Sequence, residues 1–93
     1  MTPSLILPIV HLNGTSRKEL IAMRCKASNC LREAIEELSA MGPNGRDYYP
    51  VQGLFDQARD QHVRRLEVLK GVYREIAAEV VALSDDEPLP GES

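Results

Sequence analysis

The sequence has no tryptophan and only two cysteines, Cys25 and Cys30. These cysteines are five residues apart, so a helix would place them on different faces, and the interval matches no metal-binding or redox spacing. We therefore interpret them as packing thiols of a protein that lies in a reducing compartment.

Motifs for catalysis are also missing. The sequence contains neither GxxxxGK[ST] nor GxGxxG, and it has no Ser/His/Asp order, no cysteine with a base and no cluster of metal ligands. The carboxylates lie mainly at helix-surface spacings or in the C-terminal segment, without a paired acid and base. We expect a protein that is not an enzyme and that needs no cofactor and no metal.

A strong excess of positive charge is absent as well. The net charge is −3, of which −4 falls on residues 84–93, so that residues 1–83 carry +1. Proteins that bind duplex DNA usually present a strongly basic face, which this chain lacks. A small polyanion suits this body better than DNA does.

The N-terminal segment 1–10 is apolar but short. Pro3 and Pro8 interrupt it, and no basic stretch precedes it, so we expect neither a signal peptide nor a membrane span. Its aliphatic side chains are unsuited to water, and we expect this arm to pack onto its own hairpin or onto a neighbouring subunit.

The stretch 11–16, with the sequence His-Leu-Asn-Gly-Thr-Ser, precedes a strong helical pattern. Asn13-Gly14 favours a turn, and Ser16 with Glu19 forms a capping box at the helix start. Spare amides and four nearby cations make such a helix start a site for phosphate, beside which a flat His11 ring can lie against a base or sugar. The four cations are Arg17, Lys18, Arg24 and Lys26. The alternative is an ordinary capped helix with a solvated basic face.

Apolar residues at intervals of three and four predict two helices, at about 17–41 and 54–83. The first seam is Leu20, Met23, Ala27, Leu31, Ala34, Leu38 and Met41. The second is Phe55, Ala58, His62, Leu66, Leu69, Tyr73, Ile76, Val80 and Leu83. Turn residues from Gly42 to Gly45 separate the helices, and Gly71 marks a position of close helix approach.

These elements predict an all-α fold, an antiparallel two-helix hairpin with an extended N-terminal arm. Residues 1–83 form a single domain, and 84–93 form a disordered acidic tail. The apolar faces are too wide for one hairpin, so we expect a helical homo-oligomer. We interpret His62 as a core histidine. Tyr48 and Tyr49 either cap the hairpin core or form a lid or an intersubunit contact.

The stretch 11–16, the long helix, the loop 43–50 (Pro-Asn-Gly-Arg-Asp-Tyr-Tyr-Pro) and the second helix with its acidic tail together resemble a phage family. This is the hairpin-domain family of anti-CBASS and anti-Thoeris nucleotide sponges, which sequester cyclic nucleotide signals of bacterial immunity. The resemblance covers residues 9–83, and its most specific parts are Asn13-Gly14-Thr15 and the loop 43–50.

The resemblance implies a hexamer in the cytoplasm of an infected bacterial host, which binds cyclic di- and trinucleotides and neither DNA nor membranes. It implies a cyclic dinucleotide site between subunits, with the candidate residues His11, Leu12, Asn13, Gly14, Lys26 and Tyr48. Since the loop of Tyr48 lies a full helix length from His11, the two must come from different subunits if they touch one ligand. A separate threefold pocket for cyclic trinucleotides would use Ser28 and Arg65, or Arg64 in its place.

A different class of function also fits the residues. A small helical homo-oligomeric adaptor would use the wide apolar faces to dock on a phage or host protein. Its basic residues would then be solvated or would pair with acids of that partner.

Overall fold

The structure is a computed structural model that describes residues 5–85. Two α-helices, α1 (Arg17–Ala40) and α2 (Leu54–Asp85), pack against each other, and a single turn of 3₁₀ helix at Gly45–Asp47 lies between them. Over the described residues the fold is all-helical and contains no strand, as the sequence predicts. Neither of these two helices has a stretch long and apolar enough to cross a membrane.

Helix α1 begins at the predicted cap. The Ser16 hydroxyl accepts a hydrogen bond of 3.2 Å from the Glu19 amide and so satisfies one of the amides that the first turn leaves without a partner. At the other end, the Met41 and Gly42 amides donate to the carbonyls of the last turn. The helix therefore ends at Ala40, one residue before the expected end.

Helix α2 follows Gly53, whose φ of +80° is a conformation that other residues adopt only with strain. The Gly53 carbonyl accepts from the Gln57 amide and so begins the helical hydrogen bonds. The helix continues to Asp85, two residues beyond its predicted end, and the Ser84 hydroxyl donates to the Val80 carbonyl at 2.7 Å. The rest of the acidic tail predicted to be disordered, residues 86–93, lies outside the described residues.

The predicted seam of α2 is the one that packs. All nine of its residues are buried or half-buried, and Leu83 is completely shielded from solvent. Apolar residues elsewhere on α2 remain exposed, as Val68 and Val81 do at 58% each. A single apolar stripe at helical spacing thus identified the buried face of this helix.

The predicted seam of α1 is wrong in part. Leu20, Leu31 and Leu38 face α2, but the other four members of the seam are exposed, namely Met23, Ala27, Ala34 and Met41. The packed face instead includes half-buried Arg24, Ser28 and Ile35. Cys25 and Cys30 are exposed too, so within this hairpin they are not the packing thiols that we expected.

The end of the hairpin where α1 begins and α2 ends, which we call the base, contains its best-buried residues. Arg24 donates from Nε to a Glu79 carboxylate oxygen at 2.7 Å and from a second nitrogen to the Leu20 carbonyl at 3.1 Å. One helical turn beyond this ion pair, on the facing sides, lie Leu20 and Leu83, which are the buried residues of the described chain. This partly buried ion pair joins the two helices at the base.

The hairpin is elongated, with extents of 66 × 26 × 18 Å. Its radius of gyration is 19.2 Å, whereas a compact chain of this length would have about 12 Å. Such a shape leaves most apolar side chains in contact with water. The fold of one chain therefore provides very little core.

Candidate functional site

The segment before α1 forms a tight turn with a histidine ring packed on it. The Gly14 amide donates to the His11 carbonyl at 3.2 Å, and the His11 ring lies against Gly14. A Cβ at position 14 would be only 2.6 Å from His11 Nε2, so the ring can lie this close only over glycine. His11, Leu12 and Asn13 are exposed. The turn therefore holds a flat ring in place and leaves its surroundings open.

The cations near this turn differ in their surroundings. Lys18 and Lys26 are exposed, whereas Arg17 is half-buried. Arg24 is engaged at the base by Glu79 and by the Leu20 carbonyl, with its side chain only 21% exposed. Arg24 thus serves the hairpin, and the expectation that all four early cations face a ligand is wrong for this residue.

The residues of the predicted dinucleotide site are not brought together within one chain. Lys26 lies nine residues beyond Arg17, which is about 14 Å along the helix axis. Tyr48 follows the 3₁₀ turn at the opposite end of the hairpin. One ligand can contact His11 and Tyr48 only if they belong to different copies, as the sequence already implied.

The residues of the predicted trinucleotide pocket are also apart. Arg64 and Arg65 are exposed and lie beside Leu38, whereas Ser28 is ten residues earlier in α1, about 15 Å along the axis. The Ser28 hydroxyl is buried and has no hydrogen-bond partner among the described residues. A ligand cannot reach this oxygen in the present arrangement, so the two arginines are the accessible part of the prediction.

Sequence reasoning missed a small pocket at the opposite end of the hairpin from the base, which we call the tip. This tip pocket has a volume of about 100 Å³ and brings Tyr48 and Arg65 together, although the resemblance assigned them to different sites. Its lining residues are Met41, Pro43, Tyr48, Ala58, Gln61, His62 and Arg65. One sequence signal for it was His62, which lies on the seam of α2. In the structure the His62 ring approaches Gly42, where a Cβ would be 3.4 Å from Nε2.

Aromatic contacts support one wall of the tip pocket. The rings of Tyr48 and Phe55 have centroids 6.4 Å apart and are tilted by 52°, and the Arg59 guanidinium lies 5.9 Å from the centre of the Phe55 ring. Both arrangements are favourable for aromatic quadrupoles. Tyr49, by contrast, is 81% exposed. Tyr48 therefore caps the tip, and Tyr49 is the tyrosine left open to solvent.

A second depression, the tip groove, runs between the two helices next to the pocket. It is lined by Leu38, Arg64, Arg65, Val68 and Leu69, and its volume is about 330 Å³. Its three aliphatic residues, Leu38, Val68 and Leu69, are called its floor, and its other two lining residues are arginines. Arg65 lines both the groove and the pocket.

Within residues 5–85 no group of histidine, cysteine, aspartate and glutamate side chains is arranged to hold a metal ion. Comparison with known protein families, with curated proteins and with solved structures finds no match to this chain. The turn, the groove and the pocket are therefore the features that bear on the function.

Proposed function

We propose that this chain is a phage anti-defence protein that binds cyclic oligonucleotide immune signals and sequesters them without cleavage. By withholding the signal it would block activation of CBASS effectors in the infected bacterium. The working form is a homo-oligomer, a hexamer by the family resemblance, and the ligands are cyclic dinucleotides and also cyclic trinucleotides.

The observation that carries the proposal is the His11 ring packed on Gly14 just ahead of α1. One face of the ring is supported by the turn, and the residue is exposed, so a nucleobase can stack on the other face. Stacking of a base on an aromatic side chain contributes about 1–3 kcal/mol. A ring that is already held in place loses little conformational entropy when the base arrives.

Phosphate recognition would come from two sources. The start of α1 offers backbone amides and the positive end of the helix dipole, which favour an anion. The exposed Lys26 side chain supplies a mobile positive charge. Hydrogen bonds between charged groups contribute about 1.5–3 kcal/mol each, and sequestration needs only such affinity, with no chemistry on the ligand.

The homo-oligomer is supported by what the single hairpin leaves exposed. Met23 and Met41 of α1 are 62% and 66% exposed, and Ile6 and Ile9 of the arm are 91% and 85% exposed. Apolar side chains at such exposure are typical of an interface. Other copies of the chain would cover these side chains. The same assembly would bring the His11 turn of one copy and the Tyr48 tip of another to one ligand.

The cyclic trinucleotide site would be built on Arg65, or on Arg64 in its place. Both are exposed at the tip groove, and guanidinium forks bind phosphate with two parallel hydrogen bonds. Three symmetry-related copies would offer one fork to each of three phosphates. Ser28 joins this site only if the hairpin opens around its hydroxyl.

The test begins with size-exclusion chromatography and light scattering. The oligomer is then titrated by calorimetry with a panel of cyclic di- and trinucleotides, and the ligand is recovered from the complex and analysed. We expect tight binding and an unchanged ligand. Failure to bind any member of the panel would overturn the proposal, and conversion of the ligand would make the protein an enzyme.

Two variants separate the proposed sites. We expect Lys26→Ala to weaken cyclic dinucleotide binding by about 10- to 100-fold and Arg65→Ala to do the same for cyclic trinucleotides, since each removes one charged phosphate contact. Arg32→Ala, which removes an exposed cation of α1 outside both sites, is the matched control. Equal losses for both ligand classes in both variants would refute the idea of two sites.

An adaptor is the second candidate, and the exposed tip favours it. Met41, Tyr49 and Val51 are 57–81% exposed around the loop, as a docking surface for another protein would be. An oligomer that ignores every cyclic nucleotide, but loses a protein partner when Tyr49 is replaced by serine, would establish this function instead.

A further inference from the structure

We propose that the N-terminal arm of one copy docks in the tip groove of a second copy and thereby assembles the ligand site from two chains. The inference rests on the homo-oligomer in the proposed function and names the surfaces that form it. The arm contributes Ile6, Ile9 and Leu12, which we call the arm stripe. The second copy contributes the aliphatic floor of its tip groove.

The arm stripe is the most exposed set of aliphatic side chains in the described chain. Ile6, Ile9 and Leu12 are 91%, 85% and 75% exposed, whereas Leu7 and Val10 between them are half-buried. Ile6 and Ile9 are three residues apart on either side of Pro8, and this spacing places two side chains on one side of an extended segment with three residues per turn, the conformation that Pro8 favours. Leu12 follows three residues later, in the turn. The arm thus rests on its own chain with one side and offers an apolar ridge on the other.

The tip groove has the complementary character. Leu38, Val68 and Leu69 form an aliphatic floor in a depression of about 330 Å³, and Val68 is 58% exposed. This volume admits the ends of two or three aliphatic side chains. The arm stripe carries no charge, so Arg64 and Arg65 at the edge of the groove can remain in water when the arm is bound.

The reach of the arm keeps Ile9 and Leu12 out of the groove of their own chain. Leu38 lies 21 residues beyond Arg17, which is about 32 Å along α1. Ile9 precedes Arg17 by eight residues, and even a fully extended chain of that length spans only about 28 Å. The turn closed by the Gly14 amide and the His11 carbonyl shortens this reach further. Ile9 cannot enter the groove of its own chain.

Docking in this way explains how a divided site becomes one site. The arm stripe ends at Leu12, inside the His11–Gly14 turn, and the tip groove shares Arg65 with the pocket that contains Tyr48. An arm seated in the groove therefore carries the His11 ring of one copy to the Tyr48 pocket of its neighbour. The resulting cleft holds the His11 ring of one copy and Tyr48 of the other, which suits a ligand with bases.

The first experiment measures the oligomer by light scattering over a dilution series for the full-length wild type and for Ile9→Glu. A carboxylate cannot enter the aliphatic floor without losing its hydration, so we expect association to weaken by about tenfold or more. Val63→Glu introduces the same charge at a valine that is 49% exposed and lies outside both surfaces, and it is the matched control. An Ile9→Glu oligomer as stable as wild type would overturn the proposal.

A pair of variants with opposite charges then tests the contact between arm and groove. Val68→Lys places a cation in the groove, and we expect it to weaken self-association as Ile9→Glu does. In an equimolar mixture the glutamate arm of one variant meets the lysine groove of the other, and we expect association to recover to within about threefold of wild type. No recovery in the mixture would overturn the assignment of arm to groove, and circular dichroism of each variant checks that the helices are retained.

The contact between arm and groove and the binding of cyclic nucleotides can be refuted independently of each other. A wild-type oligomer that is weakened by Ile9→Glu but binds no cyclic nucleotide keeps the arm in the groove and removes the sponge. A wild-type monomer that binds cyclic nucleotides overturns the arm proposal and keeps nucleotide binding. Retained cyclic dinucleotide affinity in a dissociated Ile9→Glu protein would overturn the assembly of the site from two chains.

Discussion

The base and the tip of this hairpin are built differently. At the base, Leu20 and Leu83 are 9% and 0% exposed, and the Arg24–Glu79 ion pair joins the two helices beside them. At the tip, Met41 and Tyr49 are 66% and 81% exposed, and a groove and a pocket remain open. The base buries or pairs these side chains within one chain, whereas the tip leaves its apolar side chains exposed.

This difference separates folding from recognition. A base that is closed within one chain determines the register of the helices and needs no partner to do so. A tip with open apolar surface and guanidinium groups is suited to a partner or a ligand. The arm stripe, in the segment that precedes α1, is an exposed apolar surface, and it is complementary to the tip of another copy.

The largest effect is expected at the base. Leu83→Ala removes a completely buried side chain and leaves a cavity, so we expect the free energy of unfolding to fall by about 2–5 kcal/mol. Urea unfolding followed by circular dichroism at one fixed protein concentration measures this change. Val81→Ala, two residues away and 58% exposed, is the control, with an expected change within about 0.5 kcal/mol. Similar losses for both variants would contradict the complete burial of Leu83, on which the description of the base depends.

A smaller effect is expected where the tip loop enters α2. Gly53 has a φ of +80°, and no atom lies within 4 Å of a Cβ built on it, so the penalty of Gly53→Ala is purely conformational. We expect it to destabilise the protein by about 1–2 kcal/mol. Gly45→Ala is the matched control, because that position is also open but lacks a positive φ. The same unfolding experiment compares the two variants. Equal stabilities would show that alanine at position 53 carries no conformational penalty.

The smallest effect is expected between the two ends. Gly71 was predicted to mark a close helix approach, but no atom outside its own helix backbone lies within 4 Å of a Cβ built there. Within the hairpin that prediction is wrong. Gly71→Ala should therefore stabilise α2 by up to about 1 kcal/mol through helix propensity. If the substitution instead dissociates the oligomer in light scattering, Gly71 lies against a second copy.

The two helices show how far periodicity can predict packing. On α2 the predicted stripe is correct, because all nine of its residues are buried or half-buried. Helix α1 has two neighbouring apolar stripes, and the predicted seam mixes members of both. In the structure Arg24 pairs with Glu79, Arg24 and Ser28 are half-buried, and Met23 is exposed. Because that pair joins residues 55 positions apart, no local pattern could have indicated it.

The candidate site was predictable to a similar degree. The turn at His11–Gly14 and the cap at Ser16 are local features, and the hydrogen bonds of both are present. The tip pocket was not predicted, because it combines a loop tyrosine with four residues of α2 whose proximity to the loop depends on how the hairpin closes. The burial of the Ser28 hydroxyl was missed for the same reason.

The sequence by itself determined the two helices, the turn between them, the cap of the first helix and the buried face of the second. These features depend on hydrogen bonds and side-chain spacing within a few residues, and the local pattern carries that information. The tertiary structure alone decided the rotation of α1, the isolation of Ser28, the pocket and groove at the tip, and the exposure of the arm stripe. Those depend on contacts between residues far apart in the chain, where one ion pair and one register select among several apolar faces that the sequence left equivalent.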